Sequence, residues 1–349
     1  MARENLFGKT QEELKGIIES LGMPAYSLNQ LTRWLYKDHA ESVEEMTNLS
    51  RQARERLQEN YELKLTPPRK AEISSDGTKK YLFLSRNERF IEAAFIPDPS
   101  RNTLCLSSQV GCKMGCLFCL TGKQGFQGNL GVDEILNQVR SLPERDQLTN
   151  IVFMGMGEPL DNLDAVLKSL EILISDYGYG MSPKRITVSS IGILPALQKF
   201  LDSSKCHLAI SLHNPFDEER RKLMPVEHIY PIKEVISLLK QYDFTRQRRV
   251  SFEYIMFRGL NDTARHVNEL ARLLNGIKCR INLIRFHPIP SSPLQSSEDA
   301  DINIFMDKLQ QKGIITTLRA SRGQDINAAC GLLSTKELVR LQQNPETNA

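Results

Sequence analysis

Three cysteines stand within eight residues, in Cys112-Lys113-Met114-Gly115-Cys116-Leu117-Phe118-Cys119. The spacing is Cys-x3-Cys-x2-Cys. Structural zinc takes four closed ligands and a ferredoxin-type cluster takes four cysteines. Three clustered thiols therefore fit a 4Fe-4S cubane with one iron left open to chelate a small ligand. Gly115 permits a tight bend between ligands, and Leu117, Phe118 and Leu120 are expected to dry the site. The competing assignment is a zinc knuckle completed by Cys105 or a histidine. The softness of three thiolates favours iron and sulfur.

Other chemistry-bearing residues flank this loop. Gly155-Met156-Gly157-Glu158-Pro159 follows the apolar run Ile151-Val152-Phe153. Glycines there let backbone approach a ligand, and a carboxylate can take an ammonium group. Ser189-Ser190 and Ser211-Leu212-His213 end two further strand-like runs. Glu92 lies between apolar neighbours in Phe90-Ile91-Glu92-Ala93-Ala94-Phe95-Ile96. An acid there invites a raised pKa, but period-two alternation reads it as a solvent-facing strand charge. Cys105 and Cys330 are isolated, and such cysteines usually act as buried hydrophobes. The same core reading applies to Cys206 and Cys279.

These residues need a scaffold. The first sixty residues read as short helices. Thr10-x-x-Glu13 is a capping box before Leu14, Ile17, Ile18 and Leu21. Leu28 to Tyr36 makes a second helix around Trp34, read as a core residue. Ser42-x-x-Glu45 opens a third, and Ser50 caps a fourth. From Lys64 to Ser108 the pattern has period two, with a hairpin at Asp76-Gly77. After Cys119 strand-like and helix-like segments alternate. Strands are predicted at Asn150–Met154, Arg185–Ser189, His207–Leu212, Val250–Ile255, Arg280–Phe286 and Ile314–Leu318. Helices are predicted at Val132–Ser141, Leu163–Ser175, Pro231–Tyr242, Ala264–Leu274 and Ile302–Lys312. Repeated βα units mean an α/β fold with a parallel sheet, either open or closed into a barrel. Chemistry on such scaffolds sits on loops after the strand C-termini.

The 349 residues exceed one average domain. A net charge of +3 permits RNA binding without arguing for it, so a basic surface must be local. Candidates are Arg246-Gln247-Arg248-Arg249, Arg220-Arg221-Lys222 and Arg69-Lys70. No membrane span or signal peptide is legible, and the seven cysteines point to a reducing, cytoplasmic setting.

The cysteine spacing, with Phe118 before its last member, resembles the signature of the radical S-adenosylmethionine (SAM) superfamily. With Gln109-Val110-Gly111-Cys112, Phe153-Met154-Gly155-Met156-Gly157-Glu158-Pro159 and Ala328-Ala329-Cys330-Gly331, the chain resembles the RlmN/Cfr family of RNA adenine methyltransferases. The resemblance runs from about Thr10 to about Leu333. It implies a partial (β/α)6 barrel with a small N-terminal helical accessory domain that contacts RNA. On that basis residues 1–66 form the accessory domain, 67–97 a β-hairpin connection, and 98–349 the barrel with a C-terminal cysteine loop.

The resemblance also implies roles. Cys112, Cys116 and Cys119 hold the cluster. Gly157, Glu158, Ser189, Ser211, Leu212 and His213 contact SAM. At His287 many relatives have Asn, which places that contact in question. Cys330 accepts a methyl group from one SAM. The reduced cluster cleaves a second SAM to a 5′-deoxyadenosyl radical, which abstracts hydrogen from that methyl. The resulting radical adds to the adenine. Glu92 or Cys105 takes the ring proton, and Cys105 forms a transient disulfide with Cys330. The implied substrates are adenosine 2503 of 23S rRNA and adenosine 37 of some tRNAs, modified at carbon 2. The implied electron donor is a flavodoxin or ferredoxin. Cfr-type methylation at carbon 8 is the nearest alternative, although that branch tends to have Ala where this chain has Pro159. A zinc-stabilised RNA-binding protein and a thiol redox sensor built on Cys105 and Cys330 are the alternatives from other classes.

Overall fold

The computed structural model describes residues 3–245, 248–289, 292–326 and 328. At the N-terminus, β1 (Glu4–Asn5) is followed by α1 (Gln11–Ser20), α2 (Ser27–Tyr36) and α3 (Arg51–Asn60), and β2 (Tyr61–Glu62) pairs back onto β1. The capping box forms: Thr10 N–H donates to Glu13 Oε2 at 2.8 Å, and Glu13 N–H to Thr10 Oγ1 at 3.3 Å. Ser50 caps α3 by accepting from Ala53 N–H at 3.2 Å. The helix expected after Ser42 is a single 3-10 turn, Val43–Glu45. Trp34 is half-buried, with its Nε1–H on Asn48 Oδ1 at 2.6 Å.

Three antiparallel strands follow: β3 (Lys70–Ile73), β4 (Lys79–Leu84) and β5 (Phe90–Ile96). Gly77 makes the β3–β4 turn at φ +83°, a conformation that suits glycine. Next comes β6 (Thr103–Cys105). After it the cysteine loop is framed by β7 (Gln109–Val110), α4 (Leu120–Gln124) and β8 (Gly128–Asn129). The chain then alternates: α5 (Val132–Arg140), β9 (Asn150–Phe153), α6 (Leu163–Ile174), β10 (Ile186–Ser190), α7 (Leu194–Ser203), β11 (His207–Ser211), α8 (Asp217–Leu223), α9 (Ile232–Leu239), β12 (Val250–Met256), α10 (Ala264–Leu273), β13 (Cys279–Arg285), α11 (Asp299–Gln311) and β14 (Ile315–Leu318).

The large sheet runs β14-β13-β12-β11-β10-β9-β6-β5-β4-β3. From β6 to β14 every neighbouring pair is parallel, so helices join the strands one by one around an incomplete barrel. The antiparallel strands extend this wall past β6. Among the described residues β14 and β3 do not pair with each other. Instead, the turns beyond them meet. Asp325 accepts from Ser74 Oγ at 2.5 Å and from Ser75 N–H at 2.9 Å, and Gly323 N–H donates to Asp76 Oδ2 at 2.9 Å.

Alternation along the strands divides the two faces. In β12, Val250, Phe252, Tyr254 and Met256 are buried outward under the helices. The in-register partners Ser211, Glu253, Asn282 and Thr317 line the inner face, with Ser189, Ala209, Ser251 and Arg280 around them. Most of these inner residues are half-buried. The barrel interior is therefore a polar lumen and not a packed core. No helix among the described residues is long and apolar enough to cross a membrane.

Candidate active site

The cysteine loop leaves β6 at the C-terminal end of the parallel strands. Gly111 (φ +71°) starts it, and a Cβ there would lie 1.8 Å from the Gly125 carbonyl oxygen. The loop is docked on its far side by Leu117 N–H on the Leu223 carbonyl at 3.0 Å and by Lys113 on Asp161 at 2.6 Å. Cys112 and Cys116 are buried and Cys119 is half-buried. Burial pushes the Cys112 thiol up to about 12, against a hydrogen bond from Met114 N–H that favours the thiolate. Burial raises Cys116 further still, with the neighbouring thiols in the same direction. Such thiols give up their protons only to a metal.

Among the described residues no three His, Cys, Asp or Glu side chains are gathered as a single metal ion would need. The donor set on this loop is all sulfur, three thiols from one turn of chain, which fits a cluster. One expectation fails: Leu117 is 41% exposed and does not dry the site. Its backbone is turned inward by the bond to Leu223, so its side chain faces out. Phe118 performs that role, packed on the His213 ring at 4.8 Å and on Phe257 at 5.6 Å.

Glu158 is buried beside this loop. Its oxygens accept from Leu160 N–H and Ile191 N–H, both at 3.1 Å, which ties the glycine-rich loop to the end of β10. Burial pushes its carboxyl up to about 7. Gly157 (φ +96°) passes Gln109 so closely that a Cβ would lie 2.5 Å from that side chain. Ser189 is half-buried on the inner face of β10, and Ser211 ends β11 on the same face.

His213 has φ +55° and is buried. Its Nδ1 accepts from Ile255 N–H at 3.0 Å. Burial, with Arg220 nearby, lowers it to about 3. The ring is therefore neutral and carries its proton on Nε2. His287 Nε2 is 3.1 Å from Ser321 Oγ, beyond the end of β14.

Arg220 overturns part of one expectation. Read as a phosphate contact, it is instead fully buried and paired with Glu227. Its Nε donates to the Leu212 carbonyl and its Nη2 to the Ser211 carbonyl, both at 2.9 Å. A guanidinium fork fixes the end of β11 in this way, because unpaired carbonyls there would be costly. Arg221 remains half-buried and Lys222 exposed. Arg246 and Gln247 lie outside the described residues.

Glu92 also differs from the alternation reading. It is buried, and its carboxylate lies 3.6 Å from the equally buried Lys80 ammonium. The reason is that β5 is covered on both faces: its inner side closes the barrel rather than meeting solvent. Ala94, two residues on, sits opposite Cys105 in β6. Glu92, Ala94 and Cys105 thus share the lumen face. Burial pushes the half-buried Cys105 thiol up to about 11. Cys206 is fully buried, as expected of a core cysteine, and Cys279 half-buried. Cys330 lies outside the described residues.

Sequence reasoning missed Glu253, Asn282 and Arg319. Glu253 accepts from Asn282 Nδ2 at 2.7 Å and from Arg319 Nη1 at 3.3 Å. Polar residues at every second position of otherwise apolar parallel strands were the available signal, since both faces of such strands usually read apolar.

Comparison with known proteins places this arrangement. The model of the radical SAM superfamily matches residues 106–274, and that of the ribosomal RNA large subunit methyltransferase N-terminal domain matches residues 4–63. A crystal structure of a radical SAM methyltransferase from Sphaerobacter thermophilus superposes with a TM-score of 0.87. The two are 38% identical, over 94% of this chain and 98% of that one. The fold and site are those of a radical SAM enzyme, a class that uses a 4Fe-4S cluster and SAM.

The chain is 55% identical to the probable dual-specificity RNA methyltransferase RlmN of Parabacteroides distasonis, over 97% of this chain and 98% of the relative. It is 42% identical to the dual-specificity RNA methyltransferase RlmN of Syntrophus aciditrophicus, over 97% and 98%. The chain belongs to the RlmN family, and it is a radical SAM RNA methyltransferase.

Proposed function

We propose that this enzyme methylates carbon 2 of adenosine 2503 in 23S rRNA and of adenosine 37 in some tRNAs, in the cytoplasm, with a flavodoxin or ferredoxin as electron donor. The observation that carries this reading is the shared lumen face of Glu92 and Cys105, at the end of the barrel where the cysteine loop emerges. A proton acceptor and a resolving thiol must both reach one base, and the register has them on one face, with Glu92 two residues along from the Ala94 that faces Cys105.

Cys112, Cys116 and Cys119 would hold the 4Fe-4S cluster, which supplies the electron that makes SAM a radical source. Glu158 takes the SAM ammonium, and the burial of Glu158 with its neighbours Met156 and Pro159 keeps water away from it. Ser189, the Ser211–His213 segment and His287 line the rest of the SAM path. The Nε2–H of neutral His213 is a donor suited to a ribose or carboxylate oxygen. Cys330 carries the methyl group first, so two SAM molecules are consumed per turnover. Glu92 accepts the ring proton. The Cys105 thiolate then attacks the Cys330 sulfur and breaks its bond to the base-linked carbon; that carbon takes a proton to complete the methyl group, the adduct's odd electron would return to the cluster, and the disulfide left behind must be reduced. The target base must leave its stack to enter the lumen, and single-stranded loops offer it at least cost.

The test uses anaerobically reconstituted enzyme, SAM, a reductant and unmodified 23S rRNA or tRNA. The RNA is then digested and its methyladenosine identified. 2-Methyladenosine is expected. 8-Methyladenosine, or activity surviving in Cys330→Ala, would overturn the reading.

A further inference from the structure

Across the lumen from Cys105 stands a side chain that the mechanism above does not use. Arg319 follows β14, and its N–H extends the ladder onto the Leu283 carbonyl at 2.9 Å. Thr317 faces Asn282 across the ladder, so Arg319, two residues on, points into the same lumen. Glu253 restrains it directly, and Asn282 holds Glu253 in turn. Glu253 is 3% exposed and also accepts from Ser251 Oγ at 3.1 Å, while Thr317 Oγ1 donates to Asn282 Oδ1 at 2.8 Å. Three neighbouring strands thus lock one guanidinium, which retains 40% side-chain exposure.

The guanidinium reaches over to the opposite wall. Nη1 lies 3.2 Å from the Met154 sulfur, directly after β9. Met154 is also the residue whose backbone N–H serves the Cys105 sulfur. Arg319, Met154 and Cys105 are therefore contiguous, at the strand ends where the chemistry occurs.

We propose that Arg319, held by Glu253, is a positioning residue that eases ionisation of the Cys105 thiol against the cost of its burial. A buried thiol is inert, and a nearby fixed cation is the ordinary remedy. Arg319 is the charged group acting on Cys105; the other ionisable groups on this face, Lys80 of β4 and Glu92 of β5, form their own ion pair. Arginine suits the task because it remains charged at every working pH, and its planar fork can hold Glu253 while still facing a sulfur.

The catalytic meaning of this inference rests on the role proposed above for Cys105, but its test does not. Cluster-loaded enzyme is alkylated anaerobically with iodoacetamide between pH 7 and 10, and the Cys105 and Cys279 peptides are quantified by mass spectrometry. In Arg319→Gln, alkylation of Cys105 at pH 8 is expected to slow about tenfold, equivalent to one pKa unit. Cys279, on another strand, is expected to react as in the wild type. Arg319→Lys keeps the charge without the fork and is expected to fall between the two. The inference is overturned if Arg319→Gln leaves the Cys105 profile in place, if Cys279 changes in parallel, or if Arg319→Lys is displaced as far as Arg319→Gln. Cys105→Ala is assayed beside them: release of methylated RNA at the wild-type rate would remove the proposed role of Cys105 and leave the alkylation result standing.

Discussion

Two buried ion pairs in this molecule share their chemistry and differ in their tasks. Arg220 and Glu227 stand behind the cysteine loop. Every group around them is occupied: the guanidinium binds the carbonyls of Ser211 and Leu212, and the carboxylate accepts from Ile232 N–H at 3.1 and 3.2 Å. Lys80 and Glu92 face the lumen, 3.6 Å apart, on strands that lead to Cys105. The first pair is a bolt, and its value lies in the backbone it fixes. The second keeps a carboxylate inside the lumen, where the proposed mechanism brings the base. Burial alone does not distinguish a structural charge from a reactive one; the face on which it lies does.

Four expected outcomes probe this contrast. Arg220→Met leaves the buried Glu227 carboxylate without its counter-charge and should cost about 3–5 kcal/mol, read as a lower denaturant midpoint with loss of bound iron. If that variant is as stable as the wild type, the bolt assignment is wrong. Glu92→Gln keeps the volume of the side chain. It removes the counter-charge of the buried Lys80, so stability should fall by up to about 3–5 kcal/mol, while under conditions where the variant remains folded turnover falls by at least the 10²–10⁴-fold typical of a lost general base. A large stability loss without a selective activity loss would make the two pairs alike.

Glu158 gives a pH test. Its carboxyl is raised to about 7, from an ordinary value of 4.5, so it becomes charged late. In the role proposed for it the ionised form takes the SAM ammonium, and on that reading SAM affinity should rise from pH 6 to 7.5 and flatten in Glu158→Gln. The linked stability runs the other way. A raised carboxyl contributes stability below about 4.5 that is lost as pH rises to about 7, and SAM binding should restore it. The smallest effect belongs to Asp325→Ala. It removes the bonds to Ser74 and Ser75, with an expected cost of about 1 kcal/mol, seen as a fall of a few degrees at most in Tm.

Much of the scaffold was legible because strand-like and helix-like stretches alternate along the chain after the cysteine loop. Each predicted strand after the cysteine loop ends within one residue of its observed limit, Asn150–Phe153 and Cys279–Arg285 among them. Helix α7 escaped because Pro195 reads as a breaker, although proline is well tolerated in a first turn. The three clustered thiols were legible because their ligands are local in sequence. The burial of Glu92 was not, since alternation cannot tell solvent from a lumen. Arg220 was misplaced because a charged run looks the same whether one member turns inward or none does. The group formed by Glu253, Asn282 and Arg319 comes from three strands, and only the sheet register brings it together.

The seam between the two ends of the sheet gives the barrel a mechanical character. Among the described residues its strands are joined by backbone ladders except where the turns beyond β14 and β3 meet, and there a few side-chain contacts do the fastening. Parting these contacts costs a small fraction of what unzipping a ladder would, so opening at the seam lies at the cheap end of the molecule's local openings. The barrel is a clasp and not a ring. A polymer with no free end nearby can be laid into a clasp sideways, whereas it would have to be threaded through a ring.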